Sequence, residues 1–302
     1  MAQTRKIRKV SRSKPTIEGA GVHLKRAFGF GEVRDFDPFL LLDDFRGDNP
    51  VDYIQGFPWH PHRGIETITY MLRGKVEHGD SLGNKGMISA GDVQWMTAGS
   101  GIIHQEMPKG DPDGRMYGFQ LWANLPRSHK MMDPRYRDVT DAQIPEVTLA
   151  DGVRVKIICG EAGGQRGPVQ DIVIDPEFID VSVPARTEFI HPTKPGYTVF
   201  AYVIEGKGCF CEQKDPFSYE VEGSNYFDLQ REPLTGNGTL LVFEDGDQVK
   251  VTTEEDGIRF LLMSGKPLKE PVAWYGPIVM NTAEELRIAF EEYQNGTFVK
   301  RR

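Results

Sequence analysis

Histidine is scarce in this 302-residue chain, and two of its seven histidines stand one residue apart in the stretch GFPWHPHRGIE at 56–66. On an extended strand alternate side chains share a face, so His60 and His62 point the same way and Glu66 shares their parity. A second pair of this kind, His104 and Glu106, lies in AGSGIIHQEMP. Two such strands lining one small barrel would bring three imidazoles and one or two carboxylates to a single point. That donor set has nitrogen and oxygen but no sulfur. It suits a six-coordinate Fe(II), Mn(II), Ni(II) or Co(II) ion better than a closed structural zinc site. A six-coordinate ion held by such a set keeps room for water, a substrate or dioxygen. A lone histidine carries little of this argument; the H-x-H and H-x-E pairs carry it together.

The other chemistry-bearing residues are less pointed. His78, in VEHGDSLGN, falls near a turn and reads as surface, and His23, His129 and His191 have no ligand-like neighbour. The three cysteines, Cys159, Cys209 and Cys211, are too few for a disulfide framework, and a C-x-C pair is only half of a zinc site, so buried or strand thiols are expected. Trp59, between Pro58 and His60, is placed to wall the entrance of a pocket. In MYGFQLW either Phe119 or Gln120 faces the cavity, depending on strand register. No nucleophile elbow and no phosphate-cradling glycine loop is present.

Composition limits the classes further. Charged residues make up 26% and apolar ones 39%, with no apolar run of the roughly 20 residues that span a bilayer, so a soluble globular chain without a membrane role is expected. The start, MAQTRKIRKVSRSKP, lacks the apolar stretch of a signal peptide, and the expected location is cytoplasmic. Net charge is −8, yet the first fourteen residues carry six Lys or Arg and no acid, which leaves −14 for the rest. Such a body repels nucleic acid, so no direct nucleic-acid contact is expected. The basic start itself reads as a solvated edge strand or a frayed terminus.

The elements that must position these residues are strands. Thirty-three glycines and twenty prolines punctuate short apolar segments, many of them alternating, which points to an all-β chain. TITYMLRGKVEHGD and TVFAYVIEGKGCF each read as strand, glycine turn and return strand. Placing HRGIETITYMLRGK over KPGYTVFAYVIEGK matches Gly64 with Gly196, Tyr70 with Tyr202 and Gly74 with Gly206, and GDVQWMT at Gly91 then lies over GDQVKVT at Gly246. In that alignment His60, His62 and Glu66 meet Pro192, Lys194 and Thr198, while His104 and Glu106 meet Arg259 and Leu261, so the second copy lacks the candidate ligands. The charged, proline-containing stretch MMDPRYRDVTDAQIPE serves as the linker. The expected domains are a metal-bearing barrel over 1–137 and a second barrel over 138–302. The latter ends in a helix over 281–295, capped by Asn281 or Thr282, with Leu286, Ile288, Ala289, Phe290 and Tyr293 on its buried face.

The same residues carry a family resemblance. FPWHPHRGIETITYMLRG followed by GDVQWMTAGSGIIHQEMP is similar to the signature of the pirins, a branch of the cupin superfamily, and DPFLLLDDF and GPIVMNTAEEL resemble pirin segments too. The resemblance implies a bicupin, two tandem cupin β-barrels, with Fe(II) in the N-terminal barrel only, held by His60, His62, His104 and Glu106. General cupins draw their carboxylate from the first motif, where Glu66 stands; here Glu106 is taken as the ligand and Glu66 as an acceptor behind a ligand imidazole N–H. Some pirins are similar in activity to quercetin 2,3-dioxygenases, which open a flavonol ring and release carbon monoxide. This implies a small aromatic substrate such as a flavonol, with Glu106 also taking its 3-hydroxyl proton. Pirins are known as transcriptional coregulators and modulators of metabolic enzymes as well, which implies a redox-sensitive regulatory protein with a protein partner as the alternative.

Overall fold

The computed structural model describes residues 2–213, 215, 217–223 and 233–300. Strand Ile102–Lys109 shows how the pattern folds: burial alternates residue by residue along IIHQEMPK, the signature of a strand with one face turned inward. In chain order the first half forms β1 (Ile7–Arg12), β2 (Lys14–Glu18), β3 (Val22–Phe28), β4 (Phe39–Asp44), β5 (Phe57–His62), β6 (Ile65–Arg73), β7 (Lys75–Asp80), β8 (Lys85–Ser89), β9 (Val93–Thr97), β10 (Ile102–Lys109), β11 (Tyr117–Asn124) and β12 (Arg135–Val139). The chain divides into two compact units, one of Lys14–Gln143 with Leu268–Arg302, the other of Met1–Ser13 with Ile144–Pro267.

In the first unit a seven-stranded sheet runs β12-β9-β6-β11-β4-β3-β2 and a four-stranded sheet runs β5-β10-β7-β8. Their inner faces meet, as the hydrogen bond from Thr69 on β6 to Glu106 on β10 shows. In the second unit strand Thr198–Phe210 bends through Gly206 and serves two layers. Its first part pairs with Ile258–Gly265 and Thr239–Phe243, and its end pairs with Gln248–Thr252. Each unit is thus a cupin barrel, and the chain is all-β apart from short helical turns and a C-terminal helix.

The division into 1–137 and 138–302 differs from the observed units at both termini. The basic start is no frayed end: β1 pairs antiparallel with Thr239–Phe243, inside the second unit. Arg5, just before it, is buried and donates to Thr193 Oγ1 at 2.7 Å and to the carbonyls of Glu244 and Lys194 at 2.7 and 2.9 Å. The last segment belongs with the first unit instead. Its helix, Ala283–Gln294, is capped by Thr282, whose hydroxyl accepts from Glu285 N while the Glu285 carboxylate accepts from Thr282 N. The expected apolar face is only partly covered, since Ala289 is buried but Ile288 and Tyr293 are 40% and 39% exposed.

The repeat holds at its first landmark and fails at its second. Tyr70 and Tyr202 are both buried in equivalent strands, and Gly74 and Gly206 take φ of 71° and 67° at the same bend. Tyr70 pairs with Val93 whereas Tyr202 pairs with Leu240, so the counterpart of β9 is Thr239–Phe243 and not GDQVKVT. The latter pairs with Glu188–Pro192, the place β10 holds beside β5. The inward positions that replace the ligand strands are therefore Phe189, His191, Val249 and Val251.

Candidate metal centre

β5 and β10 pair antiparallel with His104 directly opposite His60 and Ile102 opposite His62, so all three imidazoles project from one face. Their ring-nitrogen donor atoms lie within 4.8 Å of one another, and among the described residues no other group of three or more His, Cys, Asp or Glu side chains is gathered so closely. His60 Nδ1 donates to the Pro58 carbonyl at 2.8 Å and His62 Nδ1 to the Pro277 carbonyl at 3.0 Å. A carbonyl only accepts, so in the neutral rings both Nε2 atoms carry lone pairs, and these face each other at 3.0 Å. That contact is repulsive unless a proton or a cation lies between them.

His104 is 1% exposed and neither of its ring nitrogens has a hydrogen-bond partner. Leaving buried polar groups without partners costs about 1–3 kcal/mol each. Burial, followed by the neighbouring His60, lowers the His62 pKa well below its ordinary 6.5. Burial, followed by His62, His60 and His78, does the same for His104. Both rings are therefore neutral at physiological pH and offer lone pairs. Inward lone pairs, orphaned nitrogens and neutral rings are what a divalent metal ion requires of imidazole ligands, so these residues fit one.

Glu106 projects from the same face of β10 as His104 and is buried, but it lies outside the three-histidine group. Gln120 Nε2 donates to its Oε2 at 3.2 Å and Thr69 Oγ1 to its Oε1 at 3.3 Å, so the seven-stranded sheet steadies a carboxylate borne by the four-stranded one. The register of β11 thus settles the choice in MYGFQLW: Gln120 faces inward. Phe119 points to the other face, where it is buried beneath the Arg46 guanidinium. Trp59 is 52% exposed and does not line the cavity.

Glu66 takes a different place from the one its parity implies. Gly64, with φ of 77°, turns the chain between β5 and β6, which enter different sheets, and a Cβ there would sit 2.0 Å from the Val279 carbonyl. The Glu66 carboxylate accepts from Thr97 Oγ1 at 2.6 Å and Trp95 Nε1 at 3.1 Å on the outer face of β6. The N–H groups of His60 and His62 meet backbone carbonyls instead. His78, expected at the surface, is buried; it stacks on Tyr136, with ring centroids 5.8 Å apart.

Several supports come from parts of the chain that no short motif links to the histidines. Pro277 orients His62, and Val279 N donates to Arg63 O at 3.1 Å. The Arg63 side chain, 2% exposed, pairs with Glu292 at 2.8 Å and lies 4.2 Å from the Phe298 ring centroid. Lys130, also buried, donates to the carbonyls of Gly64 and Val279 at 2.9 and 3.0 Å and to Asn124 Oδ1 at 2.7 Å. These contacts lock the hairpin formed by Ala273–Tyr275 and Ile278–Met280 against the end of β5.

Beside His60 and His62 opens a cavity of about 630 Å³, walled by Phe57, Trp122, Trp274 and Tyr275 and edged by Arg26 and Asp43. Trp122 meets His62 edge to face at 5.1 Å and Trp274 lies 5.9 Å from Trp122. Its volume and aromatic lining match a site for a drug-sized flat molecule.

A β-barrel with converging histidines that could hold a metal ion, beside an open aromatic cavity, places the protein among the cupins. The Pirin family model matches residues 21–123 and the Pirin C-terminal cupin domain model residues 178–299. A pirin-like protein of Caulobacter vibrioides is 42% identical over 97% of this chain and 99% of its own length. Rat pirin is 36% identical over 98% of this chain and 94% of its own. The crystal structure of a quercetin 2,3-dioxygenase from Acinetobacter baumannii superposes with a TM-score of 0.84 at 28% identity, covering 98% of this chain and 99% of that one. The chain belongs to the pirin family. No helix among the described residues is long and apolar enough to cross a membrane.

Proposed function

We propose that this pirin is an Fe(II)-dependent dioxygenase of the quercetin 2,3-dioxygenase type, with His60, His62, His104 and Glu106 as the metal ligands. The observation that carries the reading is the pair of Nε2 lone pairs facing each other at 3.0 Å beside the unpartnered His104, at the wall of an aromatic cavity. The likeness in fold to a quercetin 2,3-dioxygenase over nearly the whole chain supports it. In the reaction a flavonol and dioxygen give a depside and carbon monoxide: the two bonds to ring carbon C3 break, C3 leaves as carbon monoxide, and both oxygen atoms enter the depside. Bound at this centre, iron supplies Lewis acidity and one-electron exchange.

The chain's own residues do the rest. Trp122 and Trp274 present flat faces and edges that orient a planar ring system and exclude water from it. For the Glu106 carboxylate to take the 3-hydroxyl proton of the flavonol, its side chain must swing off the metal position toward Gln120, which donates to it and lines the large cavity. Protein reconstituted with Fe(II) should consume a flavonol and release carbon monoxide in equal amounts, and His62→Ala should abolish both. A flavonol that stays intact in the presence of fully loaded protein overturns the proposal.

A further inference from the structure

A second, much smaller hollow of about 20 Å³ lies on the Glu106 side of the centre. Leu24, Phe45, Val76, Pro108 and Met116 surround it. Asp43, Phe57 and Gln120 line both this hollow and the large cavity, so the two lie side by side and share part of their wall. The large cavity therefore touches the candidate centre through His60 and His62, the small one through Glu106.

The hollow is big enough for one small molecule, since about 10–15 Å³ admits a water. A water there would need two to four polar partners. The polar groups around it are already engaged: the Glu106 carboxylate with Gln120 and Thr69, and Asp43 with Arg26 through two hydrogen bonds of 2.8 Å. What remains facing the space is carbon almost throughout. A hollow so largely lined by carbon favours an apolar gas over water.

We infer that this chamber is a binding site for an apolar diatomic gas, dioxygen, held against the Glu106 side of the centre while the organic substrate occupies the large cavity. The identity of the gas rests on the dioxygenase reading above; the apolar chamber does not. Val76 sits on β7, buried, opposite Pro108 of β10, where one more methyl group fills the space and two fewer enlarge it.

Crystals of the full chain, equilibrated under krypton pressure, test the site directly through krypton's anomalous scattering. A krypton peak is expected among Leu24, Val76 and Met116, weakened in Val76→Ile and strengthened in Val76→Ala. In turnover, Val76→Ile should raise the KM for dioxygen several-fold and leave that for the flavonol unchanged. No peak in either the unaltered chain or Val76→Ala, or an ordered water bonded to Glu106 in that position, overturns the inference. An equal rise in both KM values does so too. Flavonol turnover without a krypton peak removes the chamber and keeps the dioxygenase, whereas a peak without turnover keeps the chamber as a gas site and removes the dioxygenase.

Discussion

The two barrels share a frame and differ in what fills it. Thr69 faces Gln120 across β6 and β11, and the equivalent register in the second barrel brings Ala201 opposite Leu262. One pair holds a carboxylate by hydrogen bonds; the other adds carbon to a core that also takes in Phe189, Phe210, Val249 and Val251. The second barrel keeps one inward histidine, His191, but its Nε2 is paired with Glu177 at 2.9 Å and no second imidazole stands near it among the described residues. The strand pairing of a cupin thus needs no site to close. In the first barrel inward imidazoles and a carboxylate replace part of an apolar core, and both ring nitrogens of His104 are left without partners. There a cation held by the three imidazoles would do for stability what hydrophobic packing does in the second barrel.

That contrast can be broken most sharply at the histidines. In His62→Ala or His104→Ala the metal content, read by elemental mass spectrometry, should fall to background, while His191→Ala retains the content of the unaltered chain. Equal losses in all three variants would erase the distinction between the barrels. Next in size, Phe210→Ala should cost about 3–5 kcal/mol in denaturant unfolding of the second barrel and leave the metal content intact. A smaller effect comes from giving the first barrel the second barrel's residue. Gln120→Leu removes a donor to Glu106 and should weaken metal binding about 10–100-fold in a chelator competition, the usual scale for groups that steady a ligand. Unchanged affinity would mean that Glu106 does not bind the metal.

The smallest effect is a pH dependence confined to the metal-free protein. Burial holds His62 and His104 neutral in the folded chain well below the ordinary histidine pKa. Unfolded imidazoles take up protons near pH 6.5, so below that value the unfolded state binds more protons and stability falls as pH drops. The Tm of the metal-free chain should decline from about pH 7 to 5, less steeply in His62→Ala. A Tm with the same slope in both proteins would remove these imidazoles as its source.

Much of the centre was legible because strand parity is local. H-x-H and H-x-E put side chains on one face whatever the strands pair with, and the three imidazoles do converge. The same rule misled at Glu66, because it assumes an unbroken strand and Gly64 ends one sheet and begins another. Phe119 and Gln120 differ only by register, which neighbouring strands set and their own sequence does not. Trp59 follows the parity rule but lies on the outward face.

The amino-acid sequence by itself determined the donor types, their alternation and the all-β frame, since each depends on residues a few positions apart. Only the tertiary structure decided that Pro277 orients His62, that Gln120 and Thr69 hold Glu106, and that each terminus joins the barrel farther from it in sequence. These contacts join residues far apart in the chain. No local spacing encodes them, because they exist only once two sheets have met and their inward faces compete for the same partners.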